Sequence, residues 1–236
     1  FPPDFMRSIG HFAVSAATKG AQPSLQQAIW GASSKGVIFS IHLLRAGAVF
    51  GESAGFERPM WFAPKGVKAE YEYGYNKMPW FEHWASEHEA VRNDVGLVDL
   101  SPFCKILVEG RDAELVLQKI CTNDVGVAPG RVIYTQWLNE RAGIEADVTV
   151  ARLSETRYLV MTSAATGLAD EAWLRRHTAE SASVSITDIS SAQAAFGISG
   201  PRAREFLAAH TESDMSHAAF AFSTSQNIDI GPISAR

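Results

Sequence analysis

Only two cysteines, Cys104 and Cys121, occur in 236 residues, with no CxxC spacing and no metal partners near them. That argues against a disulfide framework and a zinc site, and reads as buried thiols in a reduced compartment. Positive charge is also sparse. Lys and Arg total 21 against 26 Asp and Glu, a net charge of −5. No basic run or Arg/aromatic ladder appears, which argues against a nucleic-acid partner. No apolar run approaches the ~20 residues of a membrane-spanning helix. No basic segment followed by a long apolar core opens the chain, so neither a membrane nor a secretory signal is expected. Gly-x-Gly-x-x-Gly, Gly-x-x-x-x-Gly-Lys and Gly-x-Ser-x-Gly are all missing, which argues against a dinucleotide or triphosphate site within the chain. The seven histidines are scattered. His83 and His88 are five apart and do not stack on one helical face, so no metal site is expected; His88 is read as packed and His83 as solvated.

What is present is ordinary globular composition, 46% hydrophobic and 20% charged, enough for one large domain or two small ones. The sequence starts at Phe1 without Met, and Gln226-Asn227-Ile228-Asp229-Ile230 reads as a strand whose partner is missing. Both features point to a piece of a longer polypeptide. Residues 1–43 read as an irregular lead-in, with one short helix near 24–30. Residues 51–79 read as loop rich in aromatics.

Regular structure is expected from Trp80. Phe81, Trp84, His88 and Val91 share a helical face, and Gly96 follows the helix end. Strands at 97–100 and 104–109 come next, then a helix at 112–121 and strands at 131–138, 144–152 and 157–162. A helix at 164–177 fits its period loosely. Strands near 183–187 and 192–198 precede a helix at 201–209, with Pro201 in its first turn. Strands and helices mix without regular βαβ alternation, which predicts an α+β fold with largely antiparallel sheets.

The most informative stretch is 131–163. In Gly143-Ile144-Glu145-Ala146-Asp147-Val148-Thr149-Val150, Ile144, Ala146, Val148 and Val150 form an apolar face; Glu145, Asp147 and Thr149 share the other. By itself Asp147 reads as a solvated outer-face carboxylate. Pairing across Asn139–Gly143 would bring it near Tyr134, with Gln136 on the same face. A phenol, an amide and a carboxylate together would suit a flat heterocycle with ring nitrogens. Asp124, in Cys121-Thr122-Asn123-Asp124-Val125-Gly126, reads as turn chemistry.

Several segments, in order, carry a resemblance. They are Gly47-Ala48-Val49-Phe50-Gly51, Gly55-Phe56-Glu57-Arg58-Pro59-Met60-Trp61-Phe62, Glu89-Ala90-Val91-Arg92, Val95-Gly96-Leu97-Val98-Asp99-Leu100-Ser101-Pro102-Phe103, Thr122-Asn123-Asp124, Gly143-Ile144-Glu145-Ala146-Asp147 and Gly200-Pro201-Arg202-Ala203. From about residue 44 to 236 the chain resembles the folate-binding aminomethyltransferase (T-protein-like) domain of dimethylglycine and sarcosine dehydrogenases, a fold shared with the glycine-cleavage T-protein. The resemblance implies that 44–236 form the N-terminal part of that domain. It implies that an N-methyl amine is oxidised by FAD in a flavin domain that this sequence does not contain, on the same or a neighbouring polypeptide. The one-carbon unit then passes to tetrahydrofolate, giving 5,10-methylene-tetrahydrofolate. It also implies that a Tyr-x-Gly-Glu segment contributing a further folate contact lies beyond this sequence, and that the piece is inactive alone.

By the same likeness Asp147 is the catalytic carboxylate, and Tyr134, Asp147, Thr149 and Ser163 contact folate; Ser163 stands where asparagine is common, and Ala151 offers no polar contact. The implied compartment is the cytoplasm in a bacterium and the mitochondrial matrix in a eukaryote. Aminomethyl transfer in glycine cleavage, demethylation of a sulfonium substrate, and a non-catalytic folate-binding module are the alternatives.

Overall fold

The structure, a computed structural model, describes residues 40–53 and 56–236. The expected helix near 24–30 and most of the lead-in lie outside the described residues. The chain divides into two compact units. One comprises the described residues up to Leu100 together with Phe196–Met215 and Asp229–Ala235; the other comprises Ser101–Ala195, Ser216–Ile228 and Arg236.

In the first unit, helix α1 (Ser40–Arg45) leads into strands β1 (Ala48–Ser53) and β2 (Phe56–Phe62), which pair antiparallel. The second strand was expected to be loop. It contains Pro59, which lacks a ladder donor, and the register shifts between Val49 and Phe50, where Phe50 lies opposite Pro59. Val49, Trp61 and Ala63 are buried between Met60, Tyr71 and Trp80.

Helix α2 (Phe81–Asn93) presents a different face from the expected one. Phe81, Trp84 and His88 are exposed, and the Trp84 and His88 rings meet at a tilt of 60° with centres 4.2 Å apart. His83, Glu87 and Val91, spaced i, i+4, i+8, are the half-buried stripe. His83 stacks on Trp61 at 5.7 Å, so His83 packs and His88 faces outward, the reverse of the expectation. Glu87 accepts the Phe62 N–H, and burial pushes its carboxyl above the usual range, opposed in part by His88 and that bond.

Strand β3 (Gly96–Asp99) pairs antiparallel with β9 (Phe196–Ser199), and α5 (Ala203–Ala208) follows. Gly200 sits at φ +119°, and a Cβ there would lie 2.4 Å from the Asp94 carbonyl oxygen. The approach lets Arg202 donate its backbone N–H to the Asp94 carbonyl and its Nη1 to Asp94 Oδ1. Pro201 therefore belongs to the turn before α5 rather than to its first turn. Strands β10 (Ile228–Ile230) and β11 (Ile233–Ala235) form a hairpin, so the strand expected to lack a partner has one three residues on.

The second unit is built on a five-stranded sheet with order β5-β6-β7-β4-β8, every neighbouring pair antiparallel. The strands are β4 (Cys104–Glu109), β5 (Val132–Leu138), β6 (Ile144–Ser154), β7 (Arg157–Thr162) and β8 (Ser185–Asp188). Period-2 alternation gives one fully buried face: Ile106, Val108, Trp137, Val148, Val150, Tyr158 and Val160. Helix α3 (Ala113–Ile120) joins the same core through Ala113, Val116, Leu117 and Ile120, an i, i+3, i+4, i+7 stripe.

Helix α4 (Gly167–Arg176) buries Gly167, Asp170 and Leu174 and leaves Leu168 out in solvent. Its apolar period is loose because the middle position of the stripe is polar. Asp170 is buried and accepts hydrogen bonds from Thr162 Oγ1 at 2.5 Å and Thr166 Oγ1 at 2.8 Å.

Buried Arg152 is satisfied in the same way. It donates to the carbonyls of Val127 and Glu155 and pairs with Glu114 and Glu155 carboxylates at 2.9 and 3.0 Å. A buried charge costs several kcal/mol unless it is paired and hydrogen-bonded in this manner.

Candidate functional site

The site begins with the β5–β6 hairpin. Asn139 makes its turn: its N–H donates to the Gly143 carbonyl, and its Oδ1 accepts from Arg141 and Gly143 N–H. Ala142, at φ +61°, takes the left-handed step. Above the turn the register shifts, so that Trp137 faces Ala146 but Leu138 faces Ile144. Ile144 is thereby taken off the buried face, where alternation alone had placed it, and is 68% exposed. Beyond the bulge the ladder is regular: Gln136 faces Asp147, Tyr134 faces Thr149, and Val132 faces Ala151.

That register assembles three polar groups on the open face. The Tyr134 hydroxyl donates to Asp147 Oδ2 at 2.5 Å. Gln136 Nε2 donates to Asp147 Oδ1 at 3.1 Å. Asp147 is exposed and Tyr134 is 60% exposed. The hydrogen bond to Asp147 raises the Tyr134 phenol above the usual tyrosine range, assisted by partial desolvation and the carboxylate charge and opposed by the Gln136 amide.

Next to this group, Thr149 and Ala151 on β6 face Met161 and Leu159 on β7. All four are half-buried. The result is a floor of small side chains on the middle strand, with larger groups on both sides.

The backbone under Tyr134 and Gln136 is braced by the loop after α3. Thr122 N–H donates to the Gln136 carbonyl at 3.0 Å, and Thr122 Oγ1 accepts the Gln136 N–H at 3.3 Å. Asn123 Nδ2 donates to the Tyr134 carbonyl at 2.7 Å. Thr135 Oγ1, buried on the other face, accepts the Asn123 N–H at 3.0 Å. Asp124 accepts from Gly126 N–H at 2.8 Å, the turn role expected of it.

Of the four candidates, the structure joins Tyr134 directly to Asp147 and puts Thr149 beside them. Ser163 directly follows β7. The β6–β7 ladder ends at Thr149 opposite Met161, two residues before Ser163, whose Oγ accepts the Ala165 N–H at 3.2 Å. Gln136 was not among the candidate ligands, although alternation had already placed it on the same face as Tyr134. The missing signal was the register, which makes it the direct cross-strand partner of Asp147.

Cys104 is buried and Cys121 half-buried, and both are free. Burial pushes the Cys121 thiol up to about 11, and Trp137 Nε1 donates to its sulfur at 3.2 Å. Among the described residues, no cluster of three or more His, Cys, Asp or Glu could hold a metal, and no helix is long and apolar enough to cross a membrane.

Known proteins resemble this chain in sequence and fold. 4-Methylaminobutanoate oxidase (formaldehyde-forming) of Paenarthrobacter nicotinovorans is 39% identical over 188 residues, covering 80% of this chain and 23% of the relative. Mitochondrial dimethylglycine dehydrogenase of Rattus norvegicus is 29% identical over 192 residues, covering 81% of this chain and 22% of the relative. The chain thus spans less than a quarter of the length of these two relatives. The crystal structure of glycine cleavage system aminomethyltransferase T from Bartonella henselae superposes with a TM-score of 0.59 at 28% identity, over 71% of this chain and 41% of that one. That likeness agrees with the mixed α+β, antiparallel architecture expected of the sequence. Residues 40–236 match the family described as GCVT N-terminal domain, and the chain belongs to that family.

Proposed function

We propose that the open face around Asp147 binds a reduced folate and serves as the one-carbon transfer part of an FAD-dependent N-methyl amine dehydrogenase or oxidase. The observation that carries this reading is a strand-borne carboxylate held by two donors, Tyr134 and Gln136, beside a shallow floor of Thr149 and Ala151. A planar pterin fits such a floor, with Met161 and Leu159 on one side and the Tyr134 ring on the other. Tetrahydrofolate would supply the nitrogens that accept the one-carbon unit, yielding 5,10-methylene-tetrahydrofolate.

The chain's own residues would then have three tasks. Asp147 stabilises positive charge and takes a proton from the attacking nitrogen at the lone pairs its two donors leave open. Tyr134 and Gln136 hold the carboxylate in one orientation. Thr149 offers a hydroxyl next to the carboxylate, and Ser163 sits past the end of the β6–β7 ladder as a further polar contact.

Exclusion of water from this face, needed to keep a reactive one-carbon unit from hydrolysis, falls to the ligand and to protein that covers Tyr134. The names of the oxidase and dehydrogenase relatives support an amine as the carbon source. FAD belongs to a flavin-bearing partner domain, and the amine's identity is set there.

The test is Asp147→Asn in an enzyme that carries the flavin domain. Folate-dependent trapping of the one-carbon unit is expected to fall by about 10²-fold, the usual reach of a general base. Equal rates in wild type and variant would refute the assignment. Tetrahydrofolate binding without any transfer would identify a binding module instead.

A further inference from the structure

The two donors on Asp147 differ in how firmly the fold ties them to it. Gln136 is its opposite number in the β5–β6 ladder, so amide and carboxylate cannot separate without a change of register. Tyr134 is one pair further along and reaches across diagonally. The β5 backbone beneath both is pinned from its outer side by Thr122 and Asn123.

A carboxylate carries about four lone-pair positions. Gln136 takes one on Oδ1 and Tyr134 one on Oδ2, which leaves one on each oxygen for a donor arriving from in front of the sheet. Asp147 is exposed. Without these contacts its side chain would exchange between rotamers, and a ligand would have to bear the loss of that freedom on binding.

We propose that Gln136 is a positioning residue for Asp147: through its cross-strand amide it fixes the carboxylate plane, so that the open lone pairs meet the reacting nitrogen of a reduced folate. This role rests on the folate reading above. It assigns to Gln136 a part in function that composition and alternation do not reveal, and it separates two jobs on one strand. Tyr134 both grips Asp147 and offers its ring to the ligand, whereas Gln136 acts through Asp147.

The test uses the full chain, titrated with tetrahydrofolate by anaerobic calorimetry. Gln136→Met keeps the length of the side chain and removes the donor. Affinity is expected to weaken by about tenfold, the scale of one lost hydrogen bond to a charged group, with an unchanged melting temperature. Gln136→Lys returns a donor and is expected to recover most of the affinity.

The second readout is the ionisation of Tyr134, followed as tyrosinate absorbance against a Tyr134→Phe control. Asp147 holds that phenol high and Gln136 eases it down. Gln136→Met is therefore expected to move its titration upward and Asp147→Asn to move it downward; a role in packing alone would move neither.

Wild-type affinity in Asp147→Asn, or no binding by the wild type, removes the folate reading itself. Weak binding by Asp147→Asn with wild-type affinity in Gln136→Met overturns the positioning role alone. So does a loss in Gln136→Met that leaves Tyr134 unmoved or that Gln136→Lys does not restore.

Discussion

The two faces of the five-stranded sheet behave oppositely. One is closed: Ile106, Val108, Trp137, Val150, Tyr158 and Val160 are wholly buried against α3 and α4. The other carries Tyr134, Gln136, Asp147 and Thr149, exposed or half-buried. Side chains alternate with a period of two, so the same backbone fixes both sets. A slip of one residue would bring Asp147 into the core and turn Val148 out. Each large apolar side chain on the closed face contributes roughly 1.5–3 kcal/mol on burial. That energy, applied to one side, is what holds the polar groups of the other in register. Stability and the proposed chemistry are thus divided between the faces yet mechanically coupled through the ladder.

Substitutions on each face should break this division in different ways. The largest effect is expected on the closed side. Trp137→Ala removes a fully buried ring that also donates to Cys121, and should lower unfolding stability by about 3–5 kcal/mol in a urea titration. Asp147→Asn, on the open side, should do the reverse. Stability stays within about 0.5 kcal/mol of wild type, while the transfer rate drops about 10²-fold, equivalent to about 2.7 kcal/mol of barrier.

Thr162→Val tests a polar group on the closed side. It leaves the Asp170 carboxyl one donor short in a buried setting, with an expected loss of about 1–3 kcal/mol and no direct effect on the open face. A stability loss as large in Asp147→Asn as in Thr162→Val would contradict the division.

The smallest effect comes from Tyr134→Phe. The folded-state phenol is raised above its unfolded value, so its contribution is fully present below about pH 10 and disappears as pH climbs through the folded-state titration. Melting temperatures of wild type and Tyr134→Phe should therefore differ by a constant amount up to that pH and converge above it. Cys121 and Tyr158, raised by burial to about 11 and about 12, shift both profiles equally.

The hairpin was legible because its signals agree. Alternation sets the faces, Asn139–Gly143 supplies the turn, and Tyr134 meets Asp147 as that pairing requires. Strands β4 and β7 were read with their observed ends, Cys104–Glu109 and Arg157–Thr162. Elsewhere one local signal concealed another. Residues 56–62 lack strand alternation and contain Pro59, and they pair with β1 across a register shift between Val49 and Phe50.

In α2 the bulkiest rings drew the helical face to Phe81, Trp84 and His88. The packing partners, Trp61 and the Phe62 backbone, select His83 and Glu87 instead. Ile144 was misplaced because a bulge has no composition cue at Trp137/Leu138. Gln136 was visible on its face, but its partner depended on the register. Ser163 followed the resemblance alone, and the β6–β7 ladder ends two residues before it.

Strand β5 is the outermost of its sheet, the position at which β-proteins are prone to recruit a foreign strand. Here Thr122 and Asn123 occupy one stretch of that rim, and the Val132 N–H is given to the Ser223 carbonyl at 2.9 Å. The contacts that brace Tyr134 and Gln136 therefore also act as a guard against intermolecular strand addition. A lesion at Thr122 or Asn123 would unite two defects usually studied separately, a slackened Tyr134–Gln136 backbone and a tendency to self-associate.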